Sequence, residues 1–157
     1  MSLPPPPTRD ELAYHEAGHA VIAHLSIAFI LDGPVIIDDQ DGSFGYCTDP
    51  DLDPKVTVYR VRYERAVVAA AGYAAQKLYN ERAHGSFNIS ALQLGASDDA
   101  GMIREDFGFG VFDEFVAIAT QRFNEDGVWE AVERLAARLA QSGQLSAEEA
   151  AKRIDEA

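Results

Sequence analysis

Two histidines near the start of the chain have the spacing of a metal site. The stretch YHEAGHAV, residues 14–21, places His15 and His19 four residues apart, with Glu16 directly after the first histidine. Residues four apart on a helix project from the same side, so the two imidazoles could share one ion. Two imidazoles, a third protein ligand and an open position form the usual catalytic zinc site. Glu16 lies about 100° further round the helix, where it could reach a water on that open position.

The same residues also have a purely structural interpretation, as a buried and hydrogen-bonded pair of histidines. Chance produces this pattern in below about one per hundred chains of this length. Gly18 favours a packed site, because a mid-helix glycine costs ~1 kcal/mol relative to alanine and suggests close approach of another backbone. His24 is about 900° of helix rotation past His15, so we expect it not to be a ligand. We expect His84 to be an ordinary surface residue.

The third ligand must come from another part of the chain. Asp98 and Asp99 are adjacent acids at the start of an expected helix, just after a Gly-Ala-Ser turn. Zinc accepts a carboxylate oxygen as readily as a histidine nitrogen. Acids at a helix start also compensate the helix dipole without binding anything. Glu64 and Glu81, on or near a long second helix, are competing donors, so the residues alone leave the third ligand open.

The histidine motif needs a helix to present it, and residues 8–11 (TRDE) predict where that helix starts. They fit a capping box, in which the Thr8 hydroxyl accepts from the Glu11 amide and the Glu11 side chain reaches back. Apolar residues continue at helical spacing to about Ala28. The prolines before the box predict a flexible lead-in over residues 1–7, followed by one domain over residues 8–157.

The rest of the chain predicts a mainly α fold, in the α+β class, with a small β-hairpin. Two β-prone runs, 34–37 and 43–48, flank a turn at residues 39–42. A second helix is predicted from about Thr57 to Asn80, and its alanine-rich centre around Gly72 should let another helix approach closely. Further helices are predicted after an N-cap at Ser97, over 112–123, over 128–140 with a break at Gly127, and from a capping box at 146–149 to Ile154.

Composition restricts the partners that the protein can have. The net charge of −13 argues against binding to a nucleic-acid backbone, which requires clustered basic residues. The single cysteine, Cys47, cannot form an internal disulfide, and no signal-peptide pattern is present, so a cytoplasmic location is expected. The longest apolar run, residues 20–31, is shorter than the ~20 residues of a spanning helix, so no membrane segment is expected.

Several of these segments resemble the peptidase domain of the FtsH family of ATP-dependent zinc proteases. HEAGHAV is similar to the metal motif of that family, VVAAAGYAAQKLY to the helix that follows it, and LGASDDAGMI to its third-ligand segment. GSFGYCT resembles a short strand of the family, and WEAVERLAARLAQSGQLSAEEAAKRI resembles its C-terminal helices. The order and approximate spacing of these segments hold over residues 10–155.

The resemblance implies a zincin-like, mostly helical peptidase domain with a Zn²⁺ ion on His15, His19 and Asp99. It also implies that Glu16 is the general base. Asp99 falls on the aspartate of the family, whereas Asp98 falls on its asparagine.

One further departure concerns the second helix. Gln76 and Lys77 stand where the family carries two glutamates, so a role of those acids does not carry over.

The expected activity is that of a zinc-dependent endopeptidase that cleaves peptides or unfolded protein segments with metal-activated water. Members of the resembling family carry an ATPase module and usually a membrane anchor, and we expect neither in this chain. A separate ATPase is therefore a possible partner. The alternative is a catalytically idle peptide- or protein-binding module that keeps the metallopeptidase fold. A closed structural zinc site, which needs a fourth protein ligand, is a third interpretation.

Overall fold

In the computed structural model, the helix that carries the histidine motif lies at the centre of the fold. Helix α1 (Arg9–Leu25) begins after Thr8, whose hydroxyl accepts from the Glu11 amide while the Glu11 carboxylate accepts from the Thr8 amide. The predicted capping box is thus confirmed. The helix ends before the predicted Ala28, because Ser26 has an extended backbone and its hydroxyl accepts from the Ala28 amide. Such side-chain bonds to the backbone compete with helix continuation.

The structure describes residues 6–39, 41–85 and 97–156, and the side chains of Ser97 and Asp98 lie outside this description. Within it the fold is mainly helical with one small antiparallel sheet, as the sequence predicts. None of the helices in these ranges combines the length and the apolarity that crossing a membrane requires.

The predicted hairpin is present and belongs to a three-stranded sheet. Strand β1 (Phe29–Ile37) pairs with β2 (Gly42–Thr48), and on its other side with the two-residue strand β3 (Gln144–Leu145). Strand β1 starts five residues before the predicted 34–37, because its first residues pair with the end of β2. Periodicity cannot distinguish such a short apolar run from the end of a helix. Strand β2 is an edge strand in this sheet.

Helix α2 (Val58–His84) packs against α1 and starts where predicted, after the N-cap Thr57. It runs four residues beyond the predicted Asn80 and stops at Gly85, whose φ of 73° is left-handed. The two helices meet at Gly18, where an added Cβ would lie 2.5 Å from the Ala75 Cβ and 2.8 Å from the Ala71 carbonyl oxygen. The close approach that the sequence predicted from Gly18 is therefore confirmed.

The remaining predicted helices are also present among the described residues. They are α3 (Ser97–Phe107), α4 (Phe112–Phe123), α5 (Val128–Ser142) and α6 (Ala147–Asp155). Ser97 is the first residue of α3 and not the residue before it, a difference within the usual scatter of helix boundaries. Gly127 precedes α5 with a φ of 80°, and the Ser146 hydroxyl caps α6 by accepting from the Glu149 amide. The segment from His84 to Ser97, whose sequence has little helical signal, falls mostly in residues 86–96, outside the described residues.

The core surrounds α1 and thereby buries the histidine motif. Along α1 the buried stretch extends from Leu12 to Ala23 with one half-buried position, Tyr14. Helices α2 and α5 and strand β1 pack against α1, and α4 packs against α2. The largest fully buried apolar side chains of these four elements are Val35, Val67, Val68, Phe123, Val132, Leu135 and Leu139. The imidazoles are consequently held between packed helices.

Adding a methyl group at Gly18 should separate α1 from α2. Gly18→Ala is expected to lower the free energy of unfolding by about 1–3 kcal/mol, because overpacking forces helix backbones apart. Gly101→Ala in α3 is the control, since the neighbour of the added Cβ among the described residues is the Arg104 Nη2 at 3.8 Å and alanine favours the helix. Urea unfolding measures both variants. Equal stability of the two variants would contradict the close approach.

Candidate metal centre

Helices α1 and α3 bring the side chains of His15, His19 and Asp99 together. The two Nε2 atoms are 3.1 Å apart, and the Asp99 Oδ2 lies 3.3 Å from the His19 Nε2 and 3.6 Å from the His15 Nε2. Ligand atoms at ~2.0–2.1 Å from one tetrahedral ion are about 3.3–3.4 Å apart, so the observed spacing suits a single zinc-sized ion. A search of the His, Cys, Asp and Glu residues in the described ranges identifies His15, His19 and Asp99 as a group that could hold a metal ion.

Each imidazole is oriented by a hydrogen bond at its other nitrogen. The His19 Nδ1 lies 2.7 Å from the Val68 carbonyl oxygen, and the His15 Nδ1 lies 3.1 Å from the Gln76 Oε1. Carbonyl oxygens only accept, so both Nδ1 atoms carry the proton that is donated. Ligating histidines usually donate their second N–H in this way, which fixes the ring and directs the Nε2 at the metal. The two rings thus have the tautomer and orientation that a shared ion needs.

Helix α2 leaves room for the ligand nitrogens only because residue 72 is a glycine. An added Cβ at Gly72 would overlap the His19 Nε2 and lie 2.6 Å from the His15 Nε2. Across the site, Phe44 of β2 stacks on the His19 ring, with centroids 4.8 Å apart and planes 6° from parallel. The ligand atoms therefore lie between the backbone of α2 and the edge strand. The Asp99 side chain remains 20% exposed, so the cluster is open to solvent on the side of α3.

The electrostatics of the cluster favour a positive charge beside Asp99. Burial favours neutral His19, but the charge and hydrogen bond of Asp99, together with the Glu16 charge and the Val68 carbonyl, outweigh burial and raise the pKa of His19 to about 9. Burial likewise opposes ionisation of Asp99, but the two histidines lower its pKa well below the usual range. Without a metal, His19 therefore carries a second ring proton, and with it a positive charge, at neutral pH. A bound cation would take the place of that proton, as metals do when they bind protein ligands.

Glu16 is buried beside the cluster, close enough for its charge to interact with both histidines and with Asp99. Strand β2 covers it, since an added Cβ at Gly42 would lie 2.5 Å from the Glu16 Cγ. Burial raises the pKa of Glu16, although the histidines partly offset this effect. The Glu16 Oε2 is buried and has no hydrogen-bond partner among the described residues. Buried polar atoms are rarely left without one, so this oxygen marks a position for a ligand or water.

The other candidate residues lie elsewhere. The His24 Nε2 is 2.8 Å from the Asp155 Oδ1, on the side of α1 away from the cluster, and His84 is exposed, both as the sequence predicts. Glu81 is exposed as well. The Asp98 side chain lies outside the described residues, and of the candidate acids within them the structure brings Asp99 to the histidines.

Glu64, the remaining competing donor, belongs to a buried ion pair instead. Its two carboxylate oxygens accept from the Arg122 guanidinium at 2.7 and 2.8 Å, and the Ser26 hydroxyl donates to it at 2.9 Å. Burial opposes its ionisation, but the hydrogen bonds and charge of Arg122 lower the pKa of Glu64 below its usual value. This acid joins α2 to α4 and to the end of α1.

Sequence reasoning missed Gln76 as a functional residue. In the sequence it is notable only as a position where the resembling FtsH-type sequences carry a glutamate, yet its amide oxygen supplies the acceptor for His15. The available signal was its position one helical turn after Gly72, on the face of α2 that meets the rings. The stacking of Phe44 on His19 was missed too, because contacts between a strand and a helix leave no local sequence pattern.

Comparison of the sequence with known protein families and with curated proteins found no match in either group. The chemistry of the site is therefore inferred from its own residues. Those residues comprise three candidate ligand atoms 3.1–3.6 Å apart, two oriented imidazoles and one buried carboxylate whose Oε2 has no partner among the described residues.

The pKa of His19 should depend on Asp99. In metal-free protein we expect His19 to titrate near pH 9, and Asp99→Asn should lower its pKa, because the carboxylate that opposes the effect of burial is lost. A pKa raised by folding stabilises the native state, so this contribution is complete below about pH 6.5 and is lost as the pH rises through about 9. Histidine NMR titration of chelator-treated protein measures the pKa. An unchanged value in the variant would contradict the assigned pairing.

Proposed function

We propose that the protein is a zinc-dependent endopeptidase that cleaves peptides or unfolded protein segments. The observation that carries the proposal is the spacing of 3.1–3.6 Å among the ligand atoms of His15, His19 and Asp99. The resemblance of the same segments to the FtsH-type peptidase domain also favours zinc and peptide hydrolysis. Cleavage of folded substrates would need an ATPase that unfolds them, a partner that the resemblance to ATP-dependent proteases suggests.

His15, His19 and Asp99 would hold the metal, and Glu16 would handle the proton. Bound zinc supplies Lewis acidity, which makes water nucleophilic near neutral pH and polarises the scissile carbonyl. The Glu16 Oε2, without a partner in the described residues, accepts the proton of the attacking water and returns it to the leaving nitrogen. The raised pKa of Glu16 suits this exchange, because a general base works best when its pKa is near the operating pH.

Strand β2 would bind the substrate. Its outer edge is unpaired within the described sheet, and an extended peptide can add to such an edge through backbone hydrogen bonds. Phe44 of this strand contacts His19, and Gly42 contacts Glu16. A peptide paired with β2 would therefore pass directly beside the ligands and the general base.

Two other functions are less well supported. A closed structural zinc site needs a fourth protein ligand, whereas the group found in the described residues has three. A binding module without turnover has no use for a buried carboxylate beside the cluster. Peptide hydrolysis accounts for both features.

Zinc stoichiometry tests the ligand set. We expect one zinc per wild-type chain and per Asp98→Ala chain, whereas Asp99→Ala should bind zinc more than about 100-fold more weakly, because it loses a direct ligand. Competition with a chromogenic chelator measures the affinities. Asp98→Ala is the matched control, since it removes a neighbouring carboxylate of the same helix. The reverse pattern would assign the ligand role to Asp98.

Hydrolysis of a labelled unfolded protein tests the general base. Wild type should cleave it, a chelator should abolish cleavage, and added zinc should restore it. Glu16→Gln keeps the shape of the side chain but cannot take a proton, so the rate should fall about 10²–10⁴-fold with zinc still bound. If zinc-loaded wild type does not cleave, or cleaves no faster than the variant, the peptidase proposal is wrong.

A further inference from the structure

The first turn of α1 is connected to the metal centre by hydrogen bonds. The Glu11 Oε1 accepts from the Thr8 amide at 3.0 Å, which is the capping interaction. The other oxygen, Oε2, accepts from the Asn80 Nδ2 at 3.0 Å and from the Gln76 Nε2 at 3.3 Å. Gln76 in turn contacts His15. The Glu11 carboxylate thus caps the start of α1 and also holds Gln76, the residue that orients His15.

The direction of each bond in this chain follows from Glu11. A carboxylate only accepts, so the Gln76 NH₂ group must face Glu11, and the Gln76 Oε1 must face His15. An amide oxygen only accepts as well, so the proton of His15 lies on Nδ1 and its Nε2 lone pair faces the cluster. Burial opposes ionisation of Glu11, but the hydrogen bonds from Asn80, Thr8 and Gln76 lower its pKa. It therefore remains an acceptor at neutral pH.

The two histidines differ in how much support their acceptors need. His19 donates to a main-chain carbonyl, Val68, which is fixed by the helix backbone. His15 donates to a side-chain amide, which can present either its oxygen or its nitrogen after a half-turn about its terminal bond. Gln76 is 97% buried, so only its neighbours decide which end faces the ring.

We propose that Glu11 is a positioning residue for the metal centre, which fixes the amide of Gln76 and thereby the Nδ1–H tautomer of His15. The inference rests on the proposed zinc site. In the common arrangement a carboxylate contacts the ligating histidine directly. Here the neutral amide of Gln76 lies between Glu11 and His15, so Glu11 fixes the orientation of the ring without placing its full negative charge beside it.

Loss of the Glu11 carboxylate should change the ligand and not only the helix. Glu11→Met keeps the length of the side chain but removes the acceptor. Loss of a residue that hydrogen-bonds a ligating histidine directly weakens metal binding about 10–100-fold. Glu11 acts through Gln76, so we expect about tenfold weaker zinc binding. In zinc-free protein, long-range ¹H–¹⁵N NMR should show His15 change from the Nδ1–H form to a mixture. Ser146→Ala is the matched control, because it removes the capping hydroxyl of α6, which is not part of this group, and should lower the Tm without changing affinity or tautomer.

Exchange of the two side chains separates positioning from stability. Gln76→Glu alone places a second carboxylate next to that of Glu11, and the repulsion between them should weaken zinc binding. The double variant Glu11→Gln, Gln76→Glu restores a donor facing an acceptor and should bind zinc about tenfold more tightly than Gln76→Glu alone. A purely structural role of Glu11 predicts no such rescue.

The two readouts distinguish failure of this inference from failure of the proposed function. If Glu11→Met leaves the His15 tautomer of the zinc-free protein unchanged, the inference is overturned, whether or not zinc binds. If the tautomer changes as expected but wild type binds no zinc, the positioning of His15 by Glu11 stands and the metal function is wrong.

Discussion

The contact between α1 and α2 determines the geometry of the whole site, because the two helices approach closely enough for backbone groups to act on side chains. Gly18 permits this approach, and Gly72 leaves space for the imidazole nitrogens. At this separation the Val68 carbonyl reaches His19 and the Gln76 amide reaches His15. A larger residue at either glycine would increase the distance between the helices, and the rings would lose their acceptors together with their packing.

Burial around this contact gives the charged residues their properties. In water, two histidines and an aspartate would attract one another only weakly, whereas in a low-dielectric interior their interaction strengthens. The same burial makes an unpaired carboxylate costly, so Glu16 is a source of strain unless a polar group meets its free oxygen. Structural ion pairs in this protein show the contrast, since Glu64 has each oxygen matched by Arg122. Glu64 therefore stabilises the packing of the helices, whereas the Glu16 Oε2, which has no partner among the described residues, can accept a hydrogen bond from a ligand or water.

Local patterns predicted the helices, the hairpin and the histidine pair, because spacing and capping act within a few residues. What depended on packing was not predictable in this way. Asp98 and Asp99 are about 100° apart on α3, and only the orientation of that helix against α1 decides which one meets the rings. Gln76 shows no sign of its role in isolation, since an amide becomes a histidine acceptor only through a contact 61 residues away. Strand β3, with two residues, exists only by pairing with β1.

The capping box has a consequence for motion as well as for structure. Helix ends open and close more often than helix centres, because fewer bonds hold them. In this protein the carboxylate that closes the first turn of α1 also contacts Gln76, so fraying of that turn would momentarily release the amide beside His15. A ligand bound at the centre would favour the closed turn by mass action. The amino-terminal end of α1 is therefore dynamically linked to a site one helical turn further along the same helix.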